Sequence, residues 1–397
     1  MHKYMDKGGK ASEVFSFIKE GMEVYSPATD TSQKKVELII HWNEVDDYEN
    51  IFKKYDYRTI MQMLHDSVAN AEVNSPVITN SDLSKPLLLY KIALDPGHIG
   101  GDIETAKREK KWVEIKANPT KGIKEPIQLI EGDLTFATAK ILKNKLESEG
   151  AIVMLTRNEQ GISSFGITYE KWKDSLFLYS LDSAQARGDV TFEEKNFLLT
   201  KANKTEIFRR FFLQEDLRER ARKINQFNPD LTLIIHYNVD ETNTNWNKPT
   251  NKNFNMAFVG GSFGADELDK PEARIDFLRL LLTDDVEQSI DFSKYIVESL
   301  VQKTGVPAAM DSSASYLKGN CITTDAAGVF CRNLALTRMV KGILCYGESL
   351  YQDNINECKA LSKNEIKIDG IETSKRAEQV AEGYFQGIMN YVKSKTK

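Results

Sequence analysis

No apolar run in the 397 residues reaches about 18 positions, the length a helix needs to cross a bilayer, so no transmembrane segment is expected. Met1-His2-Lys3-Tyr4-Met5-Asp6-Lys7 has no apolar centre of the kind a secretory signal requires, and His2 is expected to be disordered. With 53 basic residues against 58 acidic ones there is no basic surplus, which argues against a nucleic-acid partner. Cysteine is scarce and late. Cys321, Cys331, Cys345 and Cys358 form no CxxC pair, so a zinc ribbon is not expected. Cys345 lies in an apolar run and reads as a small buried hydrophobe. A bridge among the other three stays open, because connectivity is not written in a sequence. Histidine is scarce too, with five in the chain, and two of these stand at the same kind of place.

Those two stand at the ends of apolar runs. Leu87 to Leu94, broken only by Tyr90 and Lys91, reads as a buried strand. It stops at Asp95-Pro96-Gly97, a tight turn, and His98 follows, with Gly100 and Gly101 allowing close backbone approach. Asp230 to Ile235 runs directly into His236, Tyr237 and Asn238, and Gly342 to Gly347 runs into Glu348. Open α/β sheets place their sites at such carboxyl ends. Glu131 follows Ile127 to Ile130 and opens a helical pattern with Leu134, Thr138, Ile141, Leu142 and Lys145 on one face, closed by Gly150. Two histidines, an inward carboxylate and a second glutamate are the ingredients of a catalytic zinc site with one open position.

At these residues the chain resembles the zinc-dependent N-acetylmuramoyl-L-alanine amidases of bacterial cell walls. Asp95 to Asp102 match that family's Asp-Pro-Gly-His-Gly-Gly-x-Asp motif, with Ile99 in place of the first glycine. Glu131-Gly132-Asp133 opens a helix, as the family's Glu-x-Asp does, and Gly150 to Arg157 follows as Gly-x-x-Val-x-x-Thr-Arg. Arg220 to Asn225 and Asp230 to Asn238 fit Arg-x-x-x-x-Asn and the strand ending in His-x-Asn, with Ile234 where serine is usual. Cys331-Arg332-Asn333 and Tyr346-Gly347-Glu348 fit the last motif loosely. The four motifs lie in the family's order over most of residues 88–393. The resemblance implies zinc held by His98, Glu131 and His236, with Glu348 as general base. Asp95 and Asn238 would be supports, and Arg332 either steadies substrate or oxyanion or makes an ordinary salt bridge. It also implies a peptidoglycan substrate, a protein activator as a partner, and work in the periplasm or cell envelope. A wall enzyme needs export, so a signal peptide is expected to have been removed from this chain.

The departures bear on regulation and substrate choice. The gap from His98 to Glu131 is longer than the family's habit. Residues 158–216 form an insertion, with Ser183 to Arg187 and Glu193 to Phe212 expected as helices. These either pack on the domain as an extra pair or wall the cleft. A second insertion, about 263–290, holds the amphipathic run Ile275 to Leu282. Relatives in the family carry a helix near here that covers the zinc until a partner displaces it, so the same role is open for this one.

Residues 1–86 read as an N-terminal extension of unclear role. Ser12 to Met22 and Thr59 to Val68 are expected as helices, the latter carrying a structural or surface His65, and Val36 to Trp42 as a strand. His41 ends that strand much as His236 ends its own, but no Asp-Pro-Gly-His or inward glutamate accompanies it, and the likeness reads as coincidence. Residues 87–397 are expected to form one α/β catalytic domain, a twisted mostly parallel sheet with helices on both faces and a terminal helix over Arg376 to Val392. A zinc exopeptidase acting on free peptides, or a wall-binding module without catalysis, are the competing readings. The full set of ligands plus Glu348 argues against the second.

Overall fold

A computed structural model describes residues 2–26, 35–55, 60 and 85–395 of the chain. A 3-10 turn spans His2–Tyr4. Helix is confined to Ala11–Val14, where Ser12 to Met22 was expected. The chain then enters β1 (Phe15–Ile18), which pairs antiparallel with β2 (Gly21–Tyr25), and β2 pairs with β3 (Val36–His41). Phe15 is buried and stacks on Phe277 at 4.8 Å, while Phe17 is exposed. That tertiary contact overrides a pattern that also fits a helix. His41 is exposed at the end of β3 and, among the described residues, belongs to no cluster of metal-binding groups. Helix α1 (Val45–Lys54) follows. The helix expected over 59–68, with His65, lies outside the described residues except for Ile60.

The central sheet begins with β4 (Lys91–Pro96), four residues later than the start of the apolar run, because Tyr90 N–H bonds Leu87 O and Leu89 takes a φ of 71°. A separate antiparallel ribbon, β5 (Trp112–Ile115) and β6 (Ile127–Ile130), then leads into helix α3 (Glu131–Ser148) after the short α2 (Ile103–Glu109). The remaining strands are β7 (Ile152–Leu155), β8 (Leu231–Asn238), β9 (Met256–Val259), β10 (Ile322–Thr323), β11 (Val329–Cys331) and β12 (Leu344–Tyr351). Their order is β10-β11-β9-β12-β8-β4-β7. Only β10–β11 and β12–β9 pair antiparallel; the other four pairs are parallel. All eight residues of β8 are buried, as a central parallel strand covered on both faces requires.

Helices cover each face of the sheet. On one side α3, α6 (Asp285–Thr304) and α7 (Lys375–Lys395) pack Leu142, Ile296 and Tyr384 into the core that holds Leu94, Leu233 and Ile235. On the other, α4 (Leu213–Phe227) sets Ala221 and Ile224 against Ala93, Ile234 and Leu344. All four cysteines are buried free thiols.

The first insertion is more helical than its sequence suggested. It holds helices at Tyr169–Ser175, Phe177–Ala186, Phe192–Thr200 and Lys204–Ile207, then a π turn at Phe208–Phe212 that runs into α4. Trp172, Phe208, Phe211 and Phe212 form a core of their own, and the residue that joins it from outside is Ile99. Burying each such side chain contributes roughly 1.5–3 kcal/mol. The second insertion supplies α5 (Pro271–Leu282), whose contacts with Arg338 fall before the start of β12 and not at the strand ends that carry His98 and His236. Arg279 donates to Arg338 O at 2.6 Å, and Arg338 pairs with Asp276 at 3.2 Å. Those partners precede β12, whereas Glu348 lies toward its far end. The cause is strand direction: β9 runs antiparallel to β12, so the chain leaving β9 emerges at the opposite edge of the sheet.

Candidate metal centre

β4, β8 and β12 are neighbours, and each brings one polar side chain to the same end of the sheet. His98 follows the Pro96-Gly97 turn with a φ of 62°, a left-handed conformation that costs a non-glycine residue energy and must be held by its surroundings. Much of that hold is visible. Arg220 donates to His98 O at 2.9 Å and to Pro96 O at 2.9 Å, and pairs with Asp95 at 3.1 Å and Asp216 at 2.7 Å. Thr156 also donates to Asp95, and Arg157 donates to Gly132 O at 2.7 Å and Pro96 O at 3.2 Å. Asp95 thus supports the centre through Arg220 and does not touch the donors themselves. Gly97 lies beneath the His236 ring, where a Cβ would come within 2.2 Å of Cε1. Gly100 and Gly132 face one another so closely that a Cβ on Gly132 would meet Gly100 N at 2.4 Å. This contact locks the His98 loop onto the first turn of α3, and Asp133 adds a bond from Gly101 N–H at 2.7 Å.

The donors converge on one carboxylate oxygen. Glu131 Oε1 lies 3.1 Å from His98 Nε2 and 3.0 Å from His236 Nδ1. The three ligand atoms are all within 4.8 Å of one another. Ligands about 2.0–2.2 Å from a single tetrahedral ion stand about 3.3 Å apart, so the set fits one ion. Beyond the Glu131 oxygen, the buried His98 Nε2 has no hydrogen-bond partner among the described residues, a cost that a bound cation would remove. Glu131 Oε2 is occupied elsewhere: Gln352 Nε2 donates at 3.0 Å, and Lys111 Nζ stands 3.6 Å away. Glu109 faces the other side of His98, 3.6 Å from Nδ1, and accepts Ile99 N–H at 3.1 Å. Residues so placed orient the ligands of metal sites.

Glu348 is the register partner of His236 across a parallel pair, so both side chains project from the same face. Burial, reinforced by the Glu131 charge and opposed by Lys111 and Arg332, pushes its carboxyl up to about 7. Burial lowers His236 to about 4. For Glu131 burial acts upward, but Lys111 and His98 outweigh it and hold the carboxylate well below its usual range. Glu131 is therefore ionised and His236 neutral at neutral pH, the states in which both bind a cation.

The sequence reading did not single out Glu109, Lys111 or Gln352. The first two lie in the long segment between His98 and Glu131, whose ribbon carries no periodic sign of where it folds back. Gln352 follows a register shift between Ser349 and Tyr351, with Leu350 at φ 34°, and such a bulge re-aims the residues beyond it. Asn238, expected as a support, instead donates to Tyr316 Oη at 3.1 Å. Arg332 makes no salt bridge among the described residues; its guanidinium lies between the rings of Phe258 and Tyr316.

Residues 92–389 match the family described as N-acetylmuramoyl-L-alanine amidase. No curated protein sequence matches the chain. Among solved structures, the CwlD amidase of Clostridioides difficile, in complex with the GerS lipoprotein, is 18% identical, with 77% of this chain and 99% of that one covered and a TM-score of 0.41. The amidase Ami1 of Mycobacterium smegmatis is 14% identical, with 78% and 100% covered and a TM-score of 0.41. An N-acetylmuramoyl-L-alanine amidase of Clostridium difficile 630 is 17% identical, with 77% and 98% covered and a TM-score of 0.39.

Proposed function

From the chain's membership of the N-acetylmuramoyl-L-alanine amidase family, whose enzymes hydrolyse the amide between N-acetylmuramic acid and L-alanine in peptidoglycan, we propose a zinc centre of His98, Glu131 and His236 with Glu348 as general base. The observation that supports it is the single oxygen of Glu131 shared between two histidine nitrogens at 3.1 and 3.0 Å, one of them otherwise without a partner. Residues 87–397 are taken as the catalytic domain and 1–86 as an extension to it. The enzyme works in the cell envelope, where its substrate is, after export, and a protein activator is its expected partner.

A zinc ion bound there supplies Lewis acidity toward the scissile carbonyl and water ionised near neutral pH. The chain's own groups do the rest. Glu348, with its carboxyl raised to about 7, accepts a proton from the attacking water and returns it to the departing amine. Gln352 and Lys111 hold one oxygen of Glu131, which leaves the other for the ion and keeps a position open for substrate. Glu109 fixes the His98 ring from behind.

The test separates the two glutamates. Glu131→Gln should lose zinc and activity together, since an amide is a poor ligand for a dication. Glu348→Gln should keep stoichiometric zinc and lose about 10²–10⁴-fold in turnover of muramoyl peptide. Metal content measured beside cleavage decides it. An active Glu348→Gln, or one that sheds zinc while Glu131→Gln retains it, reverses the assignment.

A further inference from the structure

A row of aromatic rings leads away from the metal donors along one face of the sheet and ends on an arginine. The Tyr346 ring stacks on His236 with centroids 4.6 Å apart and planes 6° from parallel. Phe258, its register partner on β9, follows at 6.2 Å. The Arg332 guanidinium closes the row, 4.9 Å from the Phe258 centroid and 4.8 Å from that of Tyr316. Tyr346, Tyr316 and Arg332 are each half-buried, while Phe258 between them is fully buried. The two rings hold the guanidinium in place without neutralising it. Among the described residues no carboxylate pairs with Arg332, and its side chain donates no hydrogen bond. Beside it, Asn333 Nδ2 is buried and also has no acceptor. A half-exposed planar cation held between two rings with its donors unspent is suited to binding a carboxylate in two-pronged fashion.

The direction of the substrate follows from the amidase reading, on which this inference rests. Glu348 returns its proton to the departing amine, so the alanine nitrogen lies against Glu348. The peptide then runs from there past Tyr346, two positions earlier on the same strand and face, toward Arg332. Two residues of extended chain span about 7 Å. In wall stems the second residue is a γ-linked glutamate, whose α-carboxyl is either free or amidated. We propose that Arg332 is a specificity-determining anchor for this carboxylate, and that the preferred substrate is a muramoyl stem in which it is free.

The experiment uses the zinc-loaded enzyme and two substrates, a muramoyl-L-Ala-γ-D-Glu stem and its α-amide. The wild type should favour the free acid by about 10–100-fold in kcat/KM, mainly through KM, as expected for one charge-assisted contact. Arg332→Ala should bring that ratio close to 1, and Arg332→Lys should restore part of it, since the charge returns without the fork. A wild-type ratio near 1 overturns the proposal. So does an Arg332→Ala enzyme that keeps the wild-type ratio, including one whose damage lowers both substrates alike. Calorimetric titration of the wild-type holoenzyme with the dipeptide L-Ala-γ-D-Glu and with its α-amide needs no variant, and equal affinities likewise overturn it. If the wild type cleaves neither muramoyl substrate, or cleaves the free stem peptide instead, the amidase reading falls while the titration still decides the anchor.

Discussion

The two insertions border a common cavity, lined by Arg187 and Glu215 of the first and Glu272 and Asp276 of the second, but their aromatic residues pack against different partners. Both are helical, and both bring aromatic residues into a packed core. The first, at 158–216, closes its core on Ile99, the residue next to His98, and ties Arg209 to the backbone carbonyls of Lys107 and Arg108. The second packs Phe277 against Phe15 and Phe263 at the other edge of the sheet, where Arg274 meets Glu37 of the N-terminal strands at 2.9 Å. One therefore shares its packing with the loop that presents a metal donor, and the other shares its packing with the N-terminal extension. An amphipathic helix in an inserted segment is no sign of a cap; what it can cover depends on which end of the sheet its flanking strands open toward. Ile99 also accounts for the departure from the family's glycine, because a glycine there would leave a hole in the first insertion's core.

Three measurements of zinc affinity, ranked by expected effect, sharpen or break this contrast. Glu109→Gln removes the charge behind His98 while leaving an acceptor for Ile99 N–H, and should weaken zinc binding by about 10–100-fold with little loss of stability. Competition with a chelator reads it directly, and unaltered affinity would mean that Glu109 only caps the loop. Trp172→Ala opens a cavity in the first insertion and should cost about 3–5 kcal/mol of that unit's stability. Because Ile99 belongs to the same core, zinc affinity should fall as well, by less than in Glu109→Gln. A variant with a lowered melting transition but wild-type zinc affinity would make the first insertion as remote from the site as the second. Phe277→Ala should cost a similar about 3–5 kcal/mol yet leave zinc affinity and turnover per folded molecule unchanged. Increased turnover in that variant would restore the idea that the second insertion restrains the site.

What was legible in the chain was local. An apolar run that stops at Pro-Gly-His, or runs straight into His or Glu, marks a strand end whatever surrounds it, and such ends in a parallel sheet face a common edge. That is why His98 and His236 stand out from sequence, while Glu131 comes in from the separate β5–β6 ribbon, and the structure brings all three within one ion's reach. The mostly parallel α/β architecture follows from the same alternation of apolar runs and helical patterns. The helix expected over Ser12 to Met22 failed for the complementary reason, since pairing with β2 and the contact of Phe15 with Phe277, far along the chain, outweigh the local helical pattern.

The sequence by itself determined which residues end the core strands, because chain connectivity and side-chain polarity suffice for that. Only the tertiary structure decided the rest. The direction of β9 sent the second insertion away from the site, and the fold of the segment between His98 and Glu131 brought Glu109 and Lys111 back to the donors. A bulge in β12 aimed Gln352 at Glu131, and the packing of β9 and the Ser315–Asn320 helix left Arg332 between two rings with no salt-bridge partner among the described residues. Each of these is set by strand pairing, register or long-range contact, terms that act between residues far apart along the chain and leave no periodic mark within it.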